Sequence, residues 1–208
     1  KQGCYVTRKI LIVEDTPTIA RVQKHIALKA GYEVDIAESL AATKELIKHN
    51  SYFCAVVDFI LPDAPAGEAI PYTINADIPT IVMTGNIDKQ TRDTVEKYPI
   101  IDYIINKNKQ AYQYLEKQLS RLPRNENVKV LVVDDSTSTR RYICSLLKRH
   151  KYQILEAKDG KDALEVLESQ KDVSVIITDN EMPNMNGDEL CAEIRRLYSN
   201  DEKAIIGI

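Results

Sequence analysis

The chain repeats itself. Residues 9–15 read KILIVED and residues 129–135 read KVLVVDD, each an apolar run of strand length that ends in two carboxylates. The correspondence extends well beyond these seven residues. Asp15 to Asp135, Tyr32 to Tyr152 and Ala37 to Ala157 are all steps of 120 residues, while Asp58 to Asp179 and Pro62 to Pro183 are steps of 121. One inserted residue near 169–173 accounts for the change. A repeat of this length is that of a whole domain, not of a solenoid unit of roughly 20–50 residues. The chain is therefore expected to fold as two copies of one architecture.

Within each copy, apolar strand-length runs alternate with helical patterns. In the first, strands are expected at 9–13, 33–37, 53–57, 79–83 and 101–105, and helices at 17–30, 39–49, 67–75, 88–97 and 108–121. In the helix at 17–30 the residues Ile19, Val22, Ile26 and Ala30 are spaced for one face, with Thr16 placed to cap it and Pro17 at its first position. The second copy begins alike, with strands at 129–133, 153–157 and 173–178 and helices at 136–149, 159–169 and 187–199. It then reaches the run 204–208, which matches the fourth strand of the first copy. Strand–helix alternation of this kind gives an α/β fold, here two tandem doubly wound parallel sheets. The expected division is 8–122 for the first domain, 123–128 for a linker opened by the helix-ending Pro123, and 129–208 for a second domain truncated after its fourth strand. Because a sheet so truncated leaves an edge unpaired, the natural chain is expected to continue, with Ser or Thr at the next position. It begins at Lys1 rather than Met, so the native start is expected to be missing.

Composition narrows the function classes. The chain is 44% hydrophobic and 28% charged, with a net charge of −3. Nothing here draws it to nucleic acid or to anionic membrane, and no apolar run approaches the ~20 residues of a membrane span. Cys4, Cys54, Cys144 and Cys191 form no CxxC pair and read as free thiols in a reducing, cytoplasmic setting. His25, His49 and His150 lack metal-ligand spacing.

The chemistry lies in the carboxylates. Glu14, Asp15 and Asp58 end two strands of the first copy, and Asp134, Asp135 and Asp179 end two strands of the second. A doubly wound sheet places its site beyond these strand ends. Carboxylates gathered there repel one another, so the cluster calls for a bound cation or for one carboxylate to act as a nucleophile.

Both copies resemble receiver domains of two-component response regulators. The first carries ILIVED, VVDFILP around Asp58, IVMTG with Thr84 and DYIINK. The second carries VLVVDDS and IITDNEMPNMNG around Asp179, with Met182, Pro183 and Gly187. The resemblance implies that Asp58 and Asp179 accept a phosphoryl group from a histidine kinase or phosphotransfer protein, and that Mg²⁺ assists. It implies Asp15 and Asp58 as direct metal ligands with Glu14 acting through water, and likewise Asp135 and Asp179 with Asp134 behind. The backbone carbonyls of Ile60 and Glu181 complete the two sets. Thr84 resembles the switch hydroxyl and Tyr103 the aromatic that moves with it; a half-buried strand aromatic is the alternative for Tyr103.

The copies depart from this pattern unequally. The family's lysine falls three residues past the aromatic, where this chain has Asn106, with Lys107 next. Successive strand side chains point to opposite faces, so Lys107 reaches the site only if the strand bulges or ends early. Two residues past the phosphoacceptor stand Ile60 in one copy and Glu181 in the other. An apolar side chain cannot orient water, which predicts slower hydrolysis at Asp58. The loop PDAPAG at 62–67 faces PNMNG in the second copy, and the extra Pro65 predicts a stiffer loop.

Three functions follow as expectations. The first is a bacterial phosphorelay regulator in which phosphorylation shifts a two-state equilibrium reported to an effector domain or partner protein. The arrangement resembles tandem receivers that precede a diguanylate cyclase domain. In the second, the first receiver is a non-switching dimerisation or docking module and only the other signals. The third, an aspartate-nucleophile phosphatase with a second acid two residues on, is barred by Ile60 in the first copy and fits the motifs around Glu181 less well than a receiver does.

Overall fold

The computed structural model of the chain describes residues 8–85 and 88–208; Cys4 lies outside the described residues. The chain divides into two compact units, Lys1–Arg121 and Leu122–Ile208. In the first, strands β1 (Lys9–Val13), β2 (Glu33–Ala37), β3 (Cys54–Asp58), β4 (Thr80–Thr84) and β5 (Asp102–Ile105) alternate with helices α1 (Pro17–Lys29), α2 (Leu40–His49), α3 (Ala69–Asn75), α4 (Lys89–Val95) and α5 (Lys109–Asn125). All strand pairs are parallel, in the order β2-β1-β3-β4-β5. The order reverses between β1 and β3, so the crevice at the sheet's carboxyl edge opens beside the ends of those two strands.

Burial explains why these strands are apolar throughout. Every residue of β3 and β4 is buried. Because side chains alternate across a strand, both sheet faces must be covered by helices. Leu11, Val13, Val57 and Val82 pack on one face with Leu61, Ile70 and Val95. Ile10, Ile12, Ile81 and Met83, of the opposite parity, are equally buried. Each such side chain contributes about 1.5–3 kcal/mol by leaving water.

Three local expectations are corrected. The inner face of α1 is Ala20, Gln23, Ile26 and Ala27, and Val22 is 42% exposed. The stripe is thus rotated from the one the apolar residues alone mark, and a polar glutamine sits within it. Thr16 occupies the N-cap of α1 without capping it by its side chain; its hydroxyl donates to Asp15 Oδ1 at 3.4 Å. Pro123 does not end α5, which continues to Asn125. Proline has no N–H to give the carbonyl four residues back, here that of Leu119. The hydroxyl of buried Tyr32 donates to that oxygen at 2.8 Å, so the interruption leaves no unsatisfied acceptor there.

The second unit holds β6 (Lys129–Val133), α6 (Thr137–Arg149), β7 (Gln153–Ala157), α7 (Gly160–Ser169), β8 (Val173–Thr178), α8 (Gly187–Leu197) and β9 (Ala204–Gly207). Its four strands are parallel in the order β7-β6-β8-β9, the same topology shortened by one strand. The inserted residue is visible in the ladder. Lys129 pairs with Val173 but Val130 with Val175, so Ser174 is the extra position and β8 bulges there. The chain enters β9 through Lys203, a buried lysine. Its ammonium donates to the carbonyls of Lys171 at 3.1 Å and Val173 at 2.7 Å and stands 4.3 Å from the centre of the Tyr198 ring. Burial pulls its pKa below the ordinary lysine value.

Candidate functional site

In the first unit, Glu14 and Asp15 follow β1 and Asp58 ends β3. Val13 pairs with Val57, so the next residues, Glu14 and Asp58, fall side by side. One carboxylate oxygen from each of Glu14, Asp15 and Asp58 lies within 4.8 Å of the others. Glu14 is fully buried and Asp58 nearly so. The Thr16 amide donates to Glu14 Oε1 at 3.2 Å, and the Ile60 amide lies 3.5 Å from Asp58 Oδ1. Burial pushes the Glu14 carboxyl above its usual range, and the Asp58 charge adds to this against the pull of Lys107.

Lys107 reaches this cluster. Its Nζ donates to Glu14 Oε2 and to Asp58 Oδ2, each at 2.6 Å. The backbone shows how. Strand β5 stops at Ile105, the Asn106 amide donates to the Thr84 carbonyl at 2.9 Å, and Asn106 adopts a left-handed φ of +69°. One left-handed residue breaks the strand's alternation and swings the next side chain round. The Asn108 side chain then accepts from the Ala111 amide at 2.9 Å, opening α5. Asparagine is among the few residues that enter this region readily. The residue that stands where a lysine was expected is therefore the one that turns Lys107 inward. Burial alone would lower the Lys107 pKa, but the hydrogen bonds to Asp58 and Glu14 outweigh it and hold the pKa above the ordinary value.

Thr84 ends β4, fully buried, one residue beyond Met83, which pairs with Asp58. Tyr103 pairs with Val82 and is half-buried against the core of Leu11, Val57 and Val82. Burial pushes its hydroxyl up, and the carboxylate of Asp88, ahead of α4, does so further. The Ile60 side chain is 42% exposed beside the cluster.

The second unit repeats the carboxylate set. Asp134, Asp135 and Asp179 bring one oxygen each within 4.8 Å. The Ser136 amide donates to Asp134 Oδ1 at 2.8 Å, the counterpart of Thr16 and Glu14, and the Glu181 amide to Asp179 Oδ1 at 3.3 Å. The Glu181 side chain is exposed. Gly187 opens α8 directly against the backbone of Asp179: a Cβ there would stand 2.5 Å from the Asp179 carbonyl oxygen.

The loops after the two central aspartates clasp the neighbouring helix differently. Asp63 accepts from the Leu40 and Ala41 amides, at 2.8 and 2.9 Å. Its counterpart Asn184 donates to Asp159 Oδ2, the N-cap of α7, at 2.8 Å. Sequence reasoning missed Asp63, Gln23 and the role of Asn106. Gln23 could have been found as a polar residue between Ala20 and Ala27 on the inner stripe. Asn106 could have been found as a left-handed former between a strand and a helix start.

Fold and site together define a class of protein, and the chain belongs to it: the family model for the response regulator receiver domain matches residues 10–119 and 130–207. Among solved structures, two described as two-component system response regulator/GGDEF domain proteins resemble the whole chain. They share 33% and 32% identity with TM-scores of 0.84 and 0.82, and each comparison covers 97% of this chain and 82% of the other. The chemotaxis protein CheY1 of Helicobacter pylori is 46% identical over 69 residues, 33% of this chain and 56% of its own length. A CheY homologue of Campylobacter jejuni is 42% identical over 80 residues, 38% of this chain and 62% of its own length. Each such match spans less than two thirds of the curated relative. Among the described residues, no helix is long and apolar enough to cross a membrane.

Proposed function

We propose that this chain is the phosphoacceptor part of a two-component response regulator, with Asp58 and Asp179 each accepting a phosphoryl group from a histidine kinase or phosphotransfer protein. The observation that carries this reading is the ammonium of Lys107 held 2.6 Å from both Glu14 and Asp58. It gives the first unit a cation at the nucleophile as well as three carboxylates beside it. Carboxylate oxygens gathered within 4.8 Å are the hard donors that a small divalent cation takes. Asp15 and Asp58 would hold Mg²⁺ directly, with the Ile60 carbonyl and with Glu14 through water. In the second unit the set is Asp135, Asp179 and the Glu181 carbonyl, with Asp134 behind. The metal's part is to neutralise phosphoryl oxygens as the carboxylate approaches.

The protein's own groups do the rest. Asp58 supplies the nucleophilic oxygen. Lys107 follows the charge transferred to it. The Thr84 hydroxyl meets the phosphoryl group, and Tyr103 moves with Thr84 to report the change on the face of β5. We read the receivers as 8–122 and 129–208 joined through 123–128, where 123–125 still belong to α5. Output passes to an effector domain or partner protein, and the likeness to response regulator/GGDEF proteins puts a GGDEF effector first. Asn106 at the family's lysine position would favour a docking-only first receiver, but with the Lys107 ammonium on Asp58 a switching role is favoured for the first copy as well.

The test is phosphoryl incorporation from acetyl phosphate with Mg²⁺, read by intact mass on Asp58→Asn, Asp179→Asn and the double variant. One phosphoryl group on each single variant and none on the double is expected. Incorporation that persists in the double variant overturns the assignment, and incorporation at Asp179 alone restores the docking reading.

A further inference from the structure

Among the described residues, one buried side-chain oxygen has no hydrogen-bond partner: Oε1 of Gln23. Gln23 lies on the inner face of α1 and is 1% exposed. Its Nε2 is 3.4 Å from Glu14 Oε2 and 3.6 Å from Met83 Sδ. An ionised carboxylate only accepts, so the amide must present nitrogen to Glu14, and that orientation leaves Oε1 without a partner. A leucine or methionine of similar size would fill the same space without burying an unsatisfied oxygen. The second unit does so: 120 residues on stands Ile143, and the carboxylate there is the shorter Asp134. The long carboxylate and the buried amide occur together in the first copy, and the short carboxylate occurs with an apolar residue at the corresponding helix position in the second.

We infer that Gln23 is a positioning residue for Glu14, holding its Oε2 when Lys107 turns toward Asp58. Glu14 Oε2 and Asp58 Oδ2 share one ammonium, 2.6 Å from each. As negative charge gathers on Asp58, that ammonium cannot stay midway. Glu14, fully buried, then keeps one donor per oxygen: the Thr16 amide on Oε1 and the Gln23 amide on Oε2. Gln23 thereby fixes the carboxylate that orders water at the metal position. This rests on the reading of Glu14, Asp15 and Asp58 as a Mg²⁺ site.

The experiment uses the full chain carrying Asp179→Asn, with Gln23→Leu, Glu14→Asp and both together. Thermal melts are taken without metal, and Mg²⁺ is then titrated calorimetrically. Gln23→Leu should raise the metal-free Tm, because it removes the unsatisfied oxygen, and weaken Mg²⁺ binding roughly tenfold, as loss of an outer-shell partner does. In the Glu14→Asp background the same change should alter Mg²⁺ affinity less than about twofold, and the two Tm shifts should be non-additive. A lowered Tm with unchanged Mg²⁺ affinity, or equal weakening in both backgrounds, overturns the inference. Should the unchanged chain bind no Mg²⁺, the metal-site reading fails. The inference is then judged by the metal-free melts: non-additive shifts support the Gln23–Glu14 link and additive shifts overturn it.

Discussion

At the scale of the residue, Asn106 shows how one backbone angle can replace one side chain. A lysine placed four residues past Tyr103 should face away from the carboxylates by strand alternation. The left-handed φ of Asn106 cancels that parity and brings Lys107 to Glu14 and Asp58. A β-branched residue enters this region at a cost of about 1–2 kcal/mol. Asn106→Val should therefore reduce the share of molecules with Lys107 in the site by a factor of about 5–30. Asn106→Gly, free to adopt the angle, should stay close to the unchanged chain. Acetyl-phosphate incorporation at Asp58 measures both, and equal losses in the two variants would contradict the account. The carboxylates were legible in the sequence because their types and spacing are chemical requirements, whereas Lys107 stood one residue off the expected position. Their meeting was not legible, because φ at a single asparagine leaves no mark in composition or periodicity.

At the scale of the element, helix ends carry information the apolar pattern lacks. Pro123 reads as a stop, yet α5 continues because Tyr32, far away in sequence, caps the Leu119 carbonyl. Tyr32→Phe should cost about 1–3 kcal/mol by leaving that oxygen unsatisfied. With Pro123→Ala, which restores an N–H to the helix, the cost should shrink; urea melts of the four chains would show the coupling. The start of α2 is held by Asp63, whose carboxyl is kept below its usual value by the Leu40 and Ala41 amides. A depressed carboxylate contributes stability that is complete above its unfolded value, near 3.8, and lost as pH falls through its lower folded value. The stability difference between the unchanged chain and Asp63→Asn should accordingly shrink with acidification below that value. Asp88 and Asp159, also depressed by helix-start amides, share the acid loss, so the difference between chains is the quantity to follow.

At the scale of the whole molecule, duplication has given two sites with one plan and different details. The carboxylate triads match, but the residue two past Asp58 is apolar Ile60 and the residue two past Asp179 is acidic Glu181. An exposed carboxylate there can orient a water for attack on the phosphoaspartate, and an isoleucine cannot. Phosphate should leave Asp58 more slowly than Asp179, and Ile60→Glu should speed its loss. Dephosphorylation rates of chains with a single intact aspartate test this, and a faster Asp58 would refute it.

The sequence by itself determined the repeat, the strand–helix alternation, the parallel sheet and the two carboxylate sets. Each of these is written locally, as periodicity or as residue type at a strand end. Only the tertiary structure decided that α1 turns a glutamine inward, that Tyr32 completes α5, and that Lys107 stands on Asp58. Those outcomes depend on partners distant in the chain and on hydrogen-bond satisfaction in the interior, where a buried polar atom must find a partner or lose stability.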